Sequence, residues 1–266
     1  MESRTKNYLQ KYFVRKLFGR KLYSRIKFFK ILFKAKVGSK YEITSILLDV
    51  LRDDDVFFDI GANLGQYILR IKTKFKNGVN VFAFEPVISN YKMLNSYIEK
   101  KYKNVILEHY AVSDTEGEDV LYIPLIDEIE VDTQASIDLK NRENYYNNFI
   151  KQEIRKITVD KYVENKGLKR IDYLKVDTEG NDTKVLAGAL ESIRKFTPVI
   201  FCEDMENLEI ISELERMSYK RYMITYKYEL IELNTAGKSD VFNDLMVFIP
   251  ENRKQIFQNY ILNNRQ

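Results

Sequence analysis

The chain has 266 residues, of which 45% are hydrophobic and 31% are charged, as in an ordinary folded globular protein. It has one cysteine, Cys202, and one histidine, His109, which excludes an internal disulfide and a zinc site built from cysteine and histidine. No run approaches the roughly 18 apolar residues of a membrane span, and the N-terminus lacks the apolar core of a signal peptide. We therefore expect a cytoplasmic protein.

Residues 1–40 are predicted to form a basic arm in front of a mildly acidic body. They hold 13 Lys and Arg against one acid, Glu2, so the arm carries +12 and, against the total of +4, the remainder carries −8. Apolar residues recur there at spacings of three and four from Leu9 to Phe33, which indicates an amphipathic helix. Three interpretations stay open. Residues 1–36 contact the inner face of a membrane peripherally, they form a nucleic-acid-binding arm, or their apolar face packs on the body or on a partner copy.

From residue 41 onward, short β runs alternate with helical stretches, which predicts a mostly parallel, Rossmann-like α/β sheet with helices on both faces and an antiparallel edge. The predicted strands are 56–60, 79–84, 105–112, 171–176 and 199–203, with two late strands at 222–225 and 245–249. The predicted helices are 43–51, 66–75, 89–100 and 182–195.

The predicted domain covers residues 41–250, and residues 251–266 are expected to form a C-terminal tail. Within the domain, residues 123–153 interrupt the alternation because they are polar, charged and without a clear strand pattern. A stretch of this length in a compact domain is often a lid or a substrate-binding insertion.

The first predicted strand ends in a turn that is typical of a nucleotide-binding site. Asp59 is followed by Gly61, Asn63 and Gly65, with Asn63 where a dinucleotide-binding turn has its second glycine. A carboxylate here would repel a pyrophosphate but attract an ammonium, which S-adenosylmethionine (SAM) carries without any phosphate. Glu85, at the end of the second strand, is placed to accept both ribose hydroxyls, a feature that NAD sites share.

These motifs resemble those of the FkbM-type SAM-dependent methyltransferases, over residues 41–250. The similar stretches are "DIGAN", "FEP", "HYAVSDTEG", "KVDTEG" and "FNDLMVFIP". The resemblance implies a class I methyltransferase sheet, SAM as cofactor, and O-methylation of sugars or natural products. The family usually has a Glu two residues after the E-G of the fourth of these motifs, where this chain has Asp182.

Asp177 and Glu179, at the end of the fourth strand, are the strongest candidates for the chemistry. Methyl transfer to a hydroxyl needs in-line positioning and a group that takes the proton. In one assignment, Asp177 binds the methionine ammonium or lies at the reaction centre, and Glu179 contacts the acceptor hydroxyl. The two acids and Asp182 could instead hold a divalent cation. We predict no metal, because Asp182 lies in the first turn of a helix, where an acid already interacts favourably with the helix dipole.

Four further residues are weaker candidates for the site. His109, expected within the third strand, is a candidate general base, although a histidine within a strand is more often structural. Asp114 is a candidate to bind the adenine amino group or, alternatively, a turn residue. Glu203 and Asp204, at the end of the fifth strand, either face the acceptor or are solvated loop acids.

The sequence predicts an O-methyltransferase whose acceptor is a small molecule or a glycan, most simply a sugar hydroxyl of a glycan or glycolipid precursor. The alternatives are an RNA-directed methyltransferase that uses the basic arm and a non-catalytic SAM-fold binding protein. Nucleic acid is disfavoured because no N/D-P-P-Y stretch follows the fourth strand, and an NAD-linked reductase is disfavoured by Asp59 and Asn63. The oligomeric state is not predicted.

Overall fold

The computed structural model describes residues 22, 25–35, 44–126, 129–203, 207–225, 227–233 and 242–262. Most of the predicted basic arm and Asp204 lie outside these residues. Among the described residues, none of the helices is long and apolar enough to cross a membrane.

A main sheet of eight strands forms the centre of the protein, with the strand order β11-β10-β12-β9-β8-β1-β2-β3. The five strands from β9 to β3 in that order are parallel, and β12, β10 and β11 are added antiparallel at one edge. The predicted α/β sheet with an antiparallel edge is thereby confirmed. Its strands are β1 (Val56–Ile60), β2 (Asn80–Phe84), β3 (Val105–Glu108), β8 (Tyr173–Val176), β9 (Val199–Glu203), β10 (Tyr219–Thr225), β11 (Leu230–Glu232) and β12 (Phe242–Pro250).

Helices cover both faces of the main sheet, since successive strand residues point to opposite sides. Phe57 packs with the helices before and after β1, whereas its neighbour Phe58 packs with the helices of the second half of the chain. On the first face lie α1 (25–35), α2 (Thr44–Val50), α3 (Gln66–Phe75) and α4 (Ile88–Ile98). On the second face lie α6 (Val159–Lys166), α7 (Asp182–Ala187), α8 (Leu190–Phe196) and α9 (Leu208–Arg216).

A second sheet of four strands, in the order β4-β7-β5-β6, lies beside the first and has its own small core around Leu121 and Ile154. It consists of β4 (Ala111–Val112), β5 (Gly117–Ile126), β6 (Ile129–Glu130) and β7 (Asn148–Ile157). The predicted insertion at 123–153 is therefore partly sheet. Its strands escaped prediction because β7 is rich in polar and charged residues, and two of them, Gln152 and Lys156, occupy half-buried positions. Between β6 and β7 lie a 3-10 turn, Asp132–Gln134, and the short helix α5 (Lys140–Glu143).

The structure corrects two other predicted elements. The expected third strand, 105–112, is two strands, β3 and β4, which belong to different sheets, so His109 lies between strands rather than within one. The expected helix 182–195 is interrupted after α7. There Gly188 approaches the end of β4 so closely that a Cβ atom would lie 2.3 Å from the backbone oxygen of Ser113.

Segments at both ends of the described chain pack on the first face of the sheet. In α1, Phe28 and Ala35 are buried in the same core as α2, α3 and α4. After β12, the 3-10 helix Glu251–Phe257 buries Phe257 completely. Residues 251–262 are thus packed on the body instead of forming a separate tail.

Candidate active site

The turn after β1 is held in place by close backbone contacts on two sides. Gly61 has a φ of +77°, and a Cβ atom on it would lie 1.9 Å from the backbone oxygen of Asp177. The amides of Gly61 and Ala62 both donate to the carbonyl of Phe84, at 3.0 and 2.9 Å. Gly65, also at +77°, lies against the side chain of Leu94. Both predicted glycines are therefore required by the shape of the turn, whatever it binds.

Glu85 is a buried carboxylate that connects this turn to the end of β2. It accepts the backbone N–H of Asn63 at 2.6 Å and that of Val87 at 3.0 Å, and the side-chain amide of Asn90 lies at 3.4 Å. These donors favour the charged form, but burial outweighs them and raises the pKa of Glu85 to about 7. A small change in its surroundings can therefore change its charge near neutral pH.

Asp59 lies beneath the turn and is completely buried. Its carboxylate forms an ion pair with Lys175, with Nζ 3.1 Å from Oδ1 but outside hydrogen-bond geometry. The Lys175 ammonium donates to the carbonyls of Ile60 and Gly61, at 3.2 and 2.9 Å. It also lies 3.4 Å from Asp177. The structure thus gives Asp59 an ammonium partner from the chain itself, and its role in cofactor binding stays a prediction.

Lys175 is a site residue that the sequence reasoning missed. Burial acts to lower the pKa of its ammonium, but the carboxylates of Asp59 and Asp177 outweigh burial and raise it, so Lys175 stays charged. A lysine inside the otherwise apolar strand "YLKV" was the available clue, since an unpaired ammonium is almost never buried in a central strand.

The loop after β8, which carries the two predicted catalytic acids, turns sharply. Glu179 has a φ of +56° and Gly180 one of +97°, so the chain does not continue the alternation of a strand. A non-glycine residue in this region is uncommon and often marks a functional position. Gln134, in the 3-10 turn after β6, donates to the Glu179 carboxylate at 2.8 Å. The second sheet thereby contributes a side chain to this site.

Asp182 has a structural role in the same loop. It accepts hydrogen bonds from the backbone and hydroxyl of Thr178 and from the backbone N–H of Glu203, so it ties the β8 loop to the end of β9. Among the described residues, no three His, Cys, Asp or Glu side chains are arranged to hold a metal ion. The contacts of Asp182 agree with its interpretation as a structural acid.

Glu203 ends β9 at the same edge of the sheet. Desolvation, and then repulsion from Asp177, Glu179 and Asp182, raises the pKa of Glu203 to about 7. The carboxylates beyond β8 and β9 therefore form one electrostatically coupled group, with Lys175 as the cation among them.

The structure does not bring the two remaining predicted residues into the cleft. The ring of His109 lies 4.9 Å from that of Tyr91 at a tilt of 34°, and its Nε2 donates to the carbonyl of Pro86 at 2.9 Å. The pKa of His109 is lowered by burial. Asp114 lies in the turn after β4, where its carboxylate accepts from the hydroxyls of Ser113 and Thr115, at 3.1 and 3.4 Å.

The cleft lies at the carboxyl ends of the parallel strands, where α/β proteins commonly bind ligands. Its empty volume, with the open solvent at its mouth, is about 690 Å³. Five predicted residues line it, namely Gly61, Asn63, Glu85, Asp177 and Glu179. One wall is formed by the turns after β1 and β2 and by the loop after β8. The other is formed by β4, β5 and the segment around Ser136.

Comparisons with known proteins identify the family. A model of the FkbM methyltransferase domain matches residues 59–221. The hexuronic acid methyltransferase AglP of Haloferax volcanii is 27% identical over 163 residues, 60% of this chain and 60% of that protein, so the chain spans less than two-thirds of that relative's length.

Two solved structures are distantly similar to this chain. A methyltransferase FkbM from Methylobacillus flagellatus KT has 14% identity and a TM-score of 0.46, over 74% of this chain and 44% of that one. An O-methyltransferase from Bacillus cereus in complex with SAH has 11% identity and a TM-score of 0.46, over 91% of this chain and 97% of that one. The family model covers more than half of the chain and includes the turn after β1 and the β8 loop. This chain therefore belongs to the FkbM methyltransferase family.

Proposed function

We propose that the chain transfers a methyl group from SAM to a hydroxyl of a sugar, as part of a glycan or glycolipid precursor. One observation carries the proposal: Glu85, Asp177 and Glu179 line the same cleft, beyond the ends of neighbouring strands. A carboxylate that suits a ribose hydroxyl and a carboxylate that suits an acceptor proton therefore line one cleft. The hexuronic acid methyltransferase among the relatives supports a sugar as the acceptor.

Glu85 fits the ribose of such a cofactor. A carboxylate offers about four acceptor positions, and Glu85 uses three of them on Asn63, Val87 and Asn90. A ribose hydroxyl can donate to the remaining position. Because a donor stabilises the charged form, binding is expected to lower the pKa of Glu85 from about 7 and release its proton.

Asp177 is the better candidate to bind the methionine ammonium. Asp59 is completely buried and paired with Lys175, whereas the Asp177 side chain is 35% exposed and lines the cleft. Lys175 approaches Oδ2 of Asp177. We therefore propose that Lys175 orients Asp177 and that Asp59 keeps Lys175 in place.

Glu179 is proposed to accept the proton of the acceptor hydroxyl. When bound, the cofactor supplies a methyl group on a positively charged sulfur, which is a good leaving group. The new bond joins the acceptor oxygen to the methyl carbon as the sulfur–carbon bond breaks, and the hydroxyl proton passes to Glu179. Gln134 holds the Glu179 carboxylate from the side of the second sheet. The products are a methyl ether, S-adenosylhomocysteine and a protonated Glu179.

The cofactor assignment is tested by isothermal titration of the protein with SAM and, separately, with NADH. We expect SAM to bind and NADH not to bind. Glu85→Ala should weaken SAM binding about 10- to 100-fold, the usual value of a hydrogen bond to a charged group. Glu108→Ala is the matched control, because it removes an acid from the end of the neighbouring strand β3 outside the cleft. A protein that does not bind SAM would contradict the proposal.

The role of Glu179 is tested by the release of S-adenosylhomocysteine in the presence of uronic-acid and neutral oligosaccharides. Glu179→Gln should leave SAM affinity unchanged and lower turnover by about 10²- to 10⁴-fold, the range of general base catalysis. Near-normal turnover of this variant would mean that another group accepts the proton.

Three other expectations stay predictions. A cytoplasmic location agrees with Cys202, which is buried in β9. The acceptor is expected to be a small molecule or a glycan rather than a nucleic acid. The proposed chemistry assigns the proton to a carboxylate and requires no divalent cation.

A further inference from the structure

Helix α1 has two apolar faces, and the body of the protein covers one of them. Phe28 and Ala35 are buried in the core of the first face, and the ring of Phe28 lies 5.4 Å from that of Tyr97. On the other side of the helix, Phe29 is 65% exposed and Phe33 is 68% exposed. Packing on the body therefore explains Phe28, Ala35 and the partly buried Ile31 and Leu32, but it leaves Phe29 and Phe33 open.

The exposed apolar residues Leu22, Phe29 and Phe33 recur at helical spacing, and we call them the stripe. Leu22, which is 42% exposed, precedes Phe29 by seven residues, and Phe33 follows Phe29 by four. These spacings place side chains on the same side of an α-helix. Of the seven large exposed hydrophobic residues among those described, three belong to this stripe, and the others are scattered over separate elements. Single exposed apolar residues need no explanation, but an aligned group does.

Cations flank the stripe on both sides. Arg25, Lys30 and Lys34 are all exposed. At about 100° per residue, Arg25 lies to one side of Phe29 and the two lysines lie to the other. The only acid in the first 40 residues is Glu2. The surface is therefore apolar along its centre and positively charged along its borders.

We propose that this face of α1 docks on an anionic lipid bilayer. An interfacial helix buries its aromatic and aliphatic side chains at the boundary of headgroups and acyl chains, while lysines and arginines beside them reach the lipid phosphates. The flanking cations match the negative surface of such a membrane. A second copy of the chain fits less well, because a symmetric contact through this stripe would bring the same cations against one another.

The docked helix adjoins the candidate active site. On a third side of α1, the Lys27 ammonium lies 3.2 Å from the carboxylate of Asp132, which lines the cleft. Gln134, in the same 3-10 turn, contacts Glu179. The bilayer surface would thus lie next to one wall of the cleft. This step rests on the proposed function, and it favours an acceptor that is attached to lipid.

Co-sedimentation of the full chain with vesicles tests the docking surface. One set of vesicles contains only phosphatidylcholine, and the other also contains phosphatidylglycerol. We expect binding only to the anionic set, and weaker binding as salt is raised. Replacing Arg25, Lys30 and Lys34 together with Gln should lower binding roughly 100-fold, at about fivefold for each cation. The double variant Phe29→Ser and Phe33→Ser should abolish it.

A matched control separates the stripe from apolar exposure in general. Leu208→Ser removes a side chain that is 77% exposed on α9, and it should leave vesicle binding unchanged. The thermal midpoint of each variant shows that the fold is intact. Vesicle binding requires no SAM, so its failure is distinct from failure of the proposed methyl transfer.

Three results would overturn the proposal. The first is equal binding of the original chain and the Phe29 and Phe33 double variant to anionic vesicles, or no binding by either. The second is a dimer in analytical ultracentrifugation that the double variant loses, without vesicle binding by the original chain. The third is single-stranded RNA binding that depends on Phe29 and Phe33, again without vesicle binding.

Discussion

Two buried carboxylates, Asp59 and Glu85, end neighbouring strands of the main sheet but have different electrostatic surroundings. Asp59 faces the ammonium of Lys175. The groups that donate to Glu85, on Asn63, Val87 and Asn90, are all neutral amides. A neutral donor compensates less of the cost of burying a charge than an ammonium does. Burial raises the pKa of both carboxyls, but only Glu85 lines the cleft, so it is the acid whose charge state is expected to respond to a bound ligand.

The raised pKa of Glu85 predicts a pH-dependent contribution to stability. The folded protein holds this proton up to about pH 7, whereas the unfolded chain releases it near its usual value of 4.5. The contribution to the free energy of unfolding is thus complete below pH 4.5 and is lost as the pH rises to about 7. The loss amounts to about 3 kcal/mol, at 1.36 kcal/mol for each pKa unit.

Urea unfolding of the original chain and Glu85→Gln, at several pH values without ligand, measures this contribution. Gln cannot ionise, so the stability of the original chain relative to the variant should fall between pH 4.5 and pH 7.5. Other titrating groups cancel in this difference. A difference that stays constant over this range would show that Glu85 is already ionised at acid pH.

At the scale of elements, the turn between β1 and α3 depends on its contact with β8. Gly61 combines a φ of +77° with a backbone oxygen at 1.9 Å from the position of its missing Cβ. Gly167, which ends α6, has a φ of +61° and nothing within 4 Å of that position. Alanine at Gly167 should therefore cost only the backbone strain, about 1 kcal/mol.

Alanine at Gly61 should cost at least twice as much as alanine at Gly167, because the backbone of the turn or of β8 has to move. Since the same turn carries Asn63, whose N–H binds Glu85, SAM affinity should fall as well. Urea unfolding and SAM titration of the two variants check both effects. Equal losses of stability would mean that the turn is free to shift away from β8.

For the whole molecule, we expect contacts between the two sheets to determine whether the sheets unfold together. Gln152 of β7 donates to the carbonyl of Pro86 and accepts from the N–H of Ile88, at 2.7 and 3.1 Å. Asn181 donates to the carbonyl of Val112 at 2.9 Å. These bonds join the second sheet to the turn that contains Glu85 and to the β8 loop. The two sheets are therefore expected to unfold together.

Tryptophan probes test this cooperativity, since the chain has no tryptophan of its own. Phe149→Trp reports on β7 in the second sheet, and Phe196→Trp reports on α8 against the main sheet. The urea midpoints from fluorescence of the two variants should each coincide with the midpoint from circular dichroism. Proteins above about 150 residues often unfold in steps. An earlier midpoint at Phe149 would show that the second sheet is an independent unit.

Local sequence patterns were sufficient to predict the main α/β sheet and the turn that contains Gly61 and Gly65. Strand and helix periodicity and turn glycines are properties of residues close together in the chain. The same patterns did not predict strands whose neighbours in the sheet lie far away in the chain. The stretch 105–112 is divided between two sheets, and the half-buried positions of β7 include the polar Gln152 and Lys156, so neither has a simple alternation.

The amino-acid sequence by itself determined the family, the parallel sheet and the position of the cleft at the ends of its strands. Only the tertiary structure decided which charges meet there. It pairs Asp59 with Lys175, brings Gln134 to Glu179 and directs His109 to the carbonyl of Pro86. Charge pairing depends on distances of a few ångströms between segments that are far apart in the chain, and no local pattern encodes these distances.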